Sequence, residues 1–372
     1  MAKKEAITFV AIGDFNLNRE RPETTFTQSV DLLQSADITF GQLEAAISDR
    51  PVPQVHAASI CCVPSKNAAG MKYAGIDIIS FASNHTMDAG VPALLDTIEN
   101  ARKIGVEVVG AGRDIEEARR PVILERKGTK IGFLAFNSVI PSGYAAGPGK
   151  AGCNPIRVTT FYEQIDPQPG TPPVIWTLPN AQDVKVMEDD VRNLKKQVDV
   201  VVLSMHWGIH FQPSVIPQYE LQVGHAAIDA GADLIIGTHA HILKGIEVYK
   251  GKVIFHSLCN FGMDAFLSRQ VKTPHAQRLF ALYKYQPDPE YTTYPFPFDS
   301  RKSIVARAIF EGGKIKKVSY LPVWISKKSE PELLSRSDSR SKEVYEYMEW
   351  VCKDQGLETR FVWEGDEVAI PT

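Results

Sequence analysis

Asp14 and Asn16 stand two residues apart in Gly13-Asp14-Phe15-Asn16, directly after the apolar run Ile7–Ile12. Glu44 closes the run Ile38-Thr39-Phe40-Gly41-Gln42-Leu43-Glu44, and Asn84-His85 follows Ile76–Ala82. His206 follows Val198–Ser204, and His239-Ala240-His241 follows Leu234–Gly237. Mixed carboxylate, carboxamide and imidazole donors suit manganese, iron, zinc or cobalt, whereas magnesium or calcium would take oxygen alone and a soft ion would take thiolate. Six or seven donors exceed the needs of one tetrahedral ion, so the set predicts two divalent ions about 3.5–4 Å apart sharing a bridging carboxylate. Each piece alone has a plainer reading: Gly-Asp after a strand is commonly a turn, and Asn-His commonly a loop-fixing hydrogen bond. The repeated placement after apolar runs is what points to one shared site. His210 and His256 fall in the same window as His206, His239 and His241 without a comparable motif.

A scaffold that gathers these residues must bring strand ends together. The first half alternates strand-like runs (Ile7–Ile12, Ile38–Gln42, Ile76–Ser80, Val106–Val109, Ile131–Phe136) with helix-period segments (Phe26–Ser35, Ser65–Ala74, Val91–Ile104), which indicates a layered α/β fold. Ile76–Ala82, Val198–Ser204 and Leu234–Gly237 are almost continuously apolar, as strands covered on both faces are. In open α/β sheets ligands bind at the carboxyl ends of such strands, where the polar clusters lie. Residues 141–180 carry eight of the 24 prolines, so regular structure is not expected to persist there. That stretch reads as a lid or substrate-shaping loop, or equally as a solvated excursion. A second insert, 283–300, interleaves Tyr283, Tyr285, Tyr291, Tyr294, Phe296 and Phe298 with prolines, and packing over a sheet edge is favoured over lining an apolar pocket. Strand pattern returns at Ile304–Phe310 and Val318–Pro322, and an amphipathic helix is expected over Ser341–Cys352.

The 372 residues, 44% apolar and 23% charged, exclude a single small module, a disordered chain and a coiled coil. A net charge of −3 gives no global field for nucleic acid or an anionic membrane, so neither is an expected partner. There is no run of 18 apolar residues, and an apolar strand starting at Ile7 leaves no room for a signal peptide, so a cytoplasmic location is expected. Five cysteines, an odd number without CxxC spacing, read as reduced, packing thiols. A homodimer is compatible with the sequence, though no feature calls for one.

As a set, the motifs resemble the calcineurin-like metallophosphoesterase superfamily and, within it, the CapA branch named for poly-γ-glutamate capsule synthesis. The superfamily's Asp-x-His, acidic metal bridge, Asn-His, lone His and Gly-x-His-x-His look like Asp14-Phe15-Asn16, Glu44, Asn84-His85, His206 and Gly237-Thr238-His239-Ala240-His241. The CapA flavour lies in Leu43-Glu44, in Ser83-Asn84-His85 with Asp88 and Gly90, in His206-Trp207-Gly208, in Gly231-Ala232-Asp233 and in Ser257-Leu258-Cys259-Asn260-Phe261. The resemblance implies a four-layer αββα sandwich of two mixed sheets flanked by helices. It also implies one metallo domain over 1–325, with the inserts 141–180 and 283–300, and a C-terminal helical extension over 326–372.

Carried over, the resemblance assigns Asp14, Asn16, Glu44, Asn84, His206, His239 and His241 to two metal ions (Mn, Fe or Zn), with Glu44 as the bridge. His85 becomes the acid or base beside them, Asp88 its orienting partner, and Arg19 a clamp for an anionic substrate group. Asn16 stands where the superfamily usually has histidine, and Cys259 where a glycine is expected. His256 stands where a tyrosine is expected, as either an extra acid–base group or, by preference, a packed histidine. Capsule members usually carry an N-terminal membrane anchor, and this sequence shows none. The expected activity is hydrolysis of a phosphoester or amide in a small-molecule or peptide-like substrate. The alternative is a lyase, epimerase or isomerase using the metal as a Lewis acid on a small or aromatic substrate.

Overall fold

In the computed structural model, which describes residues 5–55, 57, 59–168, 170–265 and 273–372, the first apolar run forms the strand Ile7–Phe15 at the middle of a ten-stranded mixed sheet. It pairs in parallel with Ile38–Leu43, which leads on to Ile78–Ser80 and Glu107–Val109, and antiparallel with Lys302–Glu311 on its other side. A second, six-stranded sheet places Thr129–Asn137, Val200–His206, Leu234–Thr238 and Lys252–Phe255 side by side in parallel, with antiparallel strands Val122–Arg126 and Ile246–Tyr249 at its edges.

Side chains alternate across each strand, and that alternation sorts the core into layers. Ile7, Phe9 and Ala11 of the first sheet share one apolar cluster with Phe133, Val200, Val202 and Ile236 of the second, and the Phe40 and Phe133 rings stack at 6.2 Å. The two sheets therefore face each other. On the far side of the first sheet, Val10, Ile12 and Ile79 pack with Ala93, Leu94 and Ile98 of the helix Gly90–Lys103. On the far side of the second, Val201 and Leu203 pack with Met187, Val191 and Leu194 of the helix Ala181–Lys195, whose first turn is capped by the Asn180 carboxamide oxygen. This is the expected α/β arrangement of two mixed sheets with helices outside.

Inside residues 141–180, the strands Val158–Glu163 and Val174–Pro179 form an antiparallel pair, more regular than its prolines suggest. Within the two strands the only proline is the terminal Pro179, so the ladder is spared. The C-terminal helix Ser339–Asp354 sends Val344, Met348 and Val351 into the intersheet core. Beyond that helix, Val362–Glu364 and Glu367–Ala369 add two strands to the edge of the first sheet. No helix among the described residues is long and apolar enough to cross a membrane.

Candidate metal centre

The parallel strands of both sheets run their carboxyl ends toward one place. Register between Ile7–Phe15 and Ile38–Leu43 slips after Ile12, which pairs with Gly41 while Asp14 pairs with Gln42. Such a bulge re-aims the following side chain. The backbone of Cys259 crosses here so closely that a Cβ on Gly13 would lie 1.9 Å from its carbonyl oxygen, and Asp14 N–H donates to that same oxygen at 3.0 Å. Only glycine fits at position 13.

Asp14, Glu44 and His206 are fully buried, and one donor atom from each lies within 4.8 Å of the other two. His206 Nε2 is 3.2 Å from Glu44 Oε1 and 2.7 Å from Asn84 Oδ1, while its Nδ1 faces Thr238 Oγ1 at 3.0 Å. His239 and His241 both take positive φ, 89° and 52°, which turns the two rings inward from the end of Leu234–Thr238. His239 N–H donates to Asp14 Oδ2 at 3.0 Å, and His241 Nδ1 is 3.6 Å from the same oxygen. His241 Nδ1 also meets Asn260 Oδ1 at 2.6 Å.

Burial raises the Asp14 carboxyl well above its ordinary value, with Glu44 beside it adding to the effect, and pushes Glu44 up to about 7. The same burial, reinforced by neighbouring histidines, holds His206 and His239 well below the usual imidazole range and brings His241 down to about 4. The imidazoles are thus held in the neutral state a cation requires, and a bound cation would offset the cost of ionising the two buried carboxyls. Asp14 Oδ1, Glu44 Oε2 and His239 Nδ1 are buried without a hydrogen-bond partner, three unsatisfied donor atoms in one cluster. Divalent ions fit this set by chemistry and by polar accounting.

Beside the cluster, His85 Nδ1 meets Asp88 Oδ2 at 2.6 Å, and its Nε2 lies 3.7 Å from Glu44 Oε2. Tyr144 O–H donates to Asp88 Oδ1 at 2.9 Å. Burial alone would lower the His85 pKa, but Cys61, Asp88 and Glu44 around it raise it well above the ordinary value.

Three expected residues stand apart. The Asn16 carboxamide is taken up by the Asp264 backbone: its nitrogen donates to the Asp264 carbonyl at 2.9 Å, and its oxygen accepts from the Asp264 and Asn18 N–H groups, each at 3.1 Å. Arg19 forms a two-pronged pair with the Asp264 carboxylate, both contacts 2.7 Å, and is turned toward that carboxylate. His256 lies between Glu220 and Glu247, 3.3 Å from each, under the Trp207 ring. It packs, because two carboxylates balance its charge where water cannot. His256→Gln is expected to leave bound metal unchanged and to cost about 2 kcal/mol in urea melts, from leaving the buried Glu220 carboxylate without its cation, while Glu247 keeps His225.

His210 is the residue that motif reasoning passed over. Its ring centre is 4.0 Å from that of His239 and 5.2 Å from that of His241. The available signal was its place in the loop that starts at His206. Next to it, Phe211 gathers Tyr283, Tyr285 and Phe296 at centroid distances of 5.1, 6.0 and 6.3 Å, and Phe296 reaches His241 at 5.3 Å. Part of the aromatic insert, Tyr283, Tyr285 and Phe296, thus lies on the His241 side of the cluster, while Tyr291 and Tyr294 pack into the core beside the first sheet, as the packing reading expects.

A family model described as bacterial capsule synthesis protein PGA_cap matches residues 8–265. The PGA biosynthesis protein CapA of Bacillus subtilis is 32% identical over 52% of this chain and 44% of its own length. The capsule biosynthesis protein CapA of Bacillus anthracis is 26% identical over 70% of this chain and 61% of its own. A probable polyglutamine synthesis accessory protein of Mycobacterium tuberculosis is 27% identical over 48% of this chain and 43% of its own length. The matches thus span from under half to about three fifths of these relatives.

Proposed function

The chain belongs to the bacterial capsule synthesis protein PGA_cap family, and from that premise we propose that it is a divalent-metal-dependent hydrolase of phosphoester or amide bonds. The observation that carries the reading is the buried group Asp14, Glu44 and His206 with its unpartnered donor atoms. Asn84, His239 and His241 would complete the ligand set for divalent ions; Asn16, spent on Asp264, is left out. When bound, such ions acidify a water and neutralise charge on a phosphoryl or carbonyl oxygen.

The protein's own part is to hold and move a proton. Asp88 pins Nδ1 of His85, which leaves Nε2 turned toward Glu44 and the cluster, the nitrogen that would protonate the leaving group. Tyr144 fixes Asp88 in turn. The resemblance to the branch named for poly-γ-glutamate capsule synthesis supports a γ-glutamyl amide as one substrate class, and the Bacillus relatives are named for PGA and capsule biosynthesis.

A second reading is favoured by one observation, the rings of Phe211 and Phe296 beside His241, with Tyr285 against Phe211. The same centre acting only as a Lewis acid, with His85 moving a proton on a small aromatic substrate, would be a lyase, epimerase or isomerase.

The deciding experiment incubates protein reconstituted with Mn, Fe, Zn or Co with p-nitrophenyl phosphate, bis-p-nitrophenyl phosphate and γ-glutamyl-p-nitroanilide. Metal-dependent release of p-nitrophenol or p-nitroaniline is expected. Silence with all three substrates and every metal, alongside solvent deuterium uptake into an aromatic substrate, would overturn the hydrolase in favour of the second reading.

A further inference from the structure

The insert 283–300 also reaches the metal cluster through a chain of buried hydrogen bonds that can run only one way. Tyr294, fully buried within the insert, donates its O–H to the Ser300 carbonyl at 2.6 Å, and a carbonyl can only accept. The phenol's single proton is thereby committed. Its oxygen therefore meets Asn260 as an acceptor, 2.7 Å from Nδ2, and the amide must turn its nitrogen toward the tyrosine. The other end of the amide then faces His241, with Oδ1 2.6 Å from Nδ1. An amide oxygen has no proton to give, so Nδ1 carries the hydrogen and Nε2 keeps the lone pair. Asp14 Oδ2, 3.6 Å from Nδ1, is a second acceptor on the same side of the ring. The backbone holds the middle of the chain in place, because the strand Asn260–Gly262 runs parallel to Ile7–Phe15 with Asn260 opposite Asp14. His206 has no such restriction: its Nδ1 faces the Thr238 hydroxyl, which can donate or accept.

We propose that Tyr294 and Asn260 are positioning residues of the metal centre, which together fix the tautomer of His241 so that Nε2 is the nitrogen it offers a cation. This role presupposes that His241 is a ligand, as the proposed function has it. Without the phenol oxygen nothing orients the Asn260 amide. Once flipped, it would present its nitrogen to His241, accept no proton from Nδ1, and favour the tautomer with hydrogen on Nε2, which has no lone pair left for a metal.

Two measurements on the full chain test the role. At pH 7, where burial keeps the ring neutral, NMR of nitrogen-labelled histidine in the metal-free protein reads which His241 nitrogen bears the proton. Hydrogen on Nδ1 is expected; hydrogen on Nε2 would overturn the proposal with no variant needed. Zinc titration against a chromophoric chelator then compares Tyr294→Phe with Ser303→Ala. The Ser303 hydroxyl donates to the Leu258 and Asn260 carbonyls at 3.1 and 2.6 Å, so its loss loosens the same segment and leaves the amide alone. Tyr294→Phe should weaken zinc binding about 10–100-fold and give His241 a mixture of tautomers, while Ser303→Ala changes neither. Equal losses in the two variants would reduce Tyr294 to a packing residue and overturn its role. His241→Ala separates the two possible failures. Unweakened zinc binding in that variant would remove His241 from the ligands and the proposal with it, whereas weakened binding there beside full affinity in Tyr294→Phe would overturn the role of Tyr294 alone.

Discussion

Without metal, Glu44→Gln should be more stable than the parent by about 3 kcal/mol at pH 7 and no different at pH 4. The sign follows from where the carboxyl titrates. Buried, it holds its proton up to about 7, whereas in the unfolded chain it releases it near 4.5. Between those values the folded protein binds more protons than the unfolded one, so the group's contribution falls as pH rises through that window and is fully unfavourable above it. A neutral carboxamide of the same shape keeps the hydrogen bond from Ser83 Oγ and carries no charge to desolvate. His206, His239 and His241, held low by burial, tilt the curve the other way, but they do so in both proteins and cancel in the difference. Adding manganese or zinc should then reverse the order. The parent gains about 3 kcal/mol at a hundredfold excess over Kd, and the variant, short of one ligand, gains less. Urea melts at pH 4 and pH 7, with chelator and with metal, read all four values. A variant less stable than the parent in chelator at pH 7 would sink the account of Glu44 as a desolvated ligand.

His85→Gln is expected to lower kcat by about 10²–10⁴-fold while the chain keeps its metal. The His85 ring is carboxylate-pinned at one nitrogen, at 2.6 Å, and turned toward Glu44 with the other. Asp88→Asn, which leaves the ring in place but loosens it, should cost less, about 10–100-fold. Elemental analysis beside steady-state kinetics separates the roles. If metal content falls together with kcat in His85→Gln, the ring is a ligand and the assigned proton transfer is wrong.

Much of this was legible in the chain because apolar runs covered on both faces are long and nearly unbroken, so the polar residue after each run marks a strand end. Asp14, Glu44, Asn84, His206, His239 and His241 were found that way, and the structure brings them together. What escaped depends on contacts across large sequence distances. Asn16 has the right type and spacing, yet the Asp264 backbone, 248 residues on, claims its carboxamide. Arg19 looked free to clamp an anion until Asp264 met it. Cys61 belongs to a stretch without periodicity, and nothing local says that the turn after Ile78–Ser80 will bring His85 against it. The strands Val362–Glu364 and Glu367–Ala369 have three residues each, too few to show an alternation.

The strand that delivers Asp14 is Ile7–Phe15, and its antiparallel neighbour, Lys302–Glu311, follows it at a distance of most of the described chain. At about 5–20 residues per second, roughly 15–60 s of synthesis separate the two. Throughout that interval an almost wholly apolar β-segment has one long flank without its final partner, the condition under which chaperones are recruited and strands pair wrongly. The Asp14 carboxyl at its tip is thus held by its final neighbours only once the far later strand Lys302–Glu311 has been made and docked.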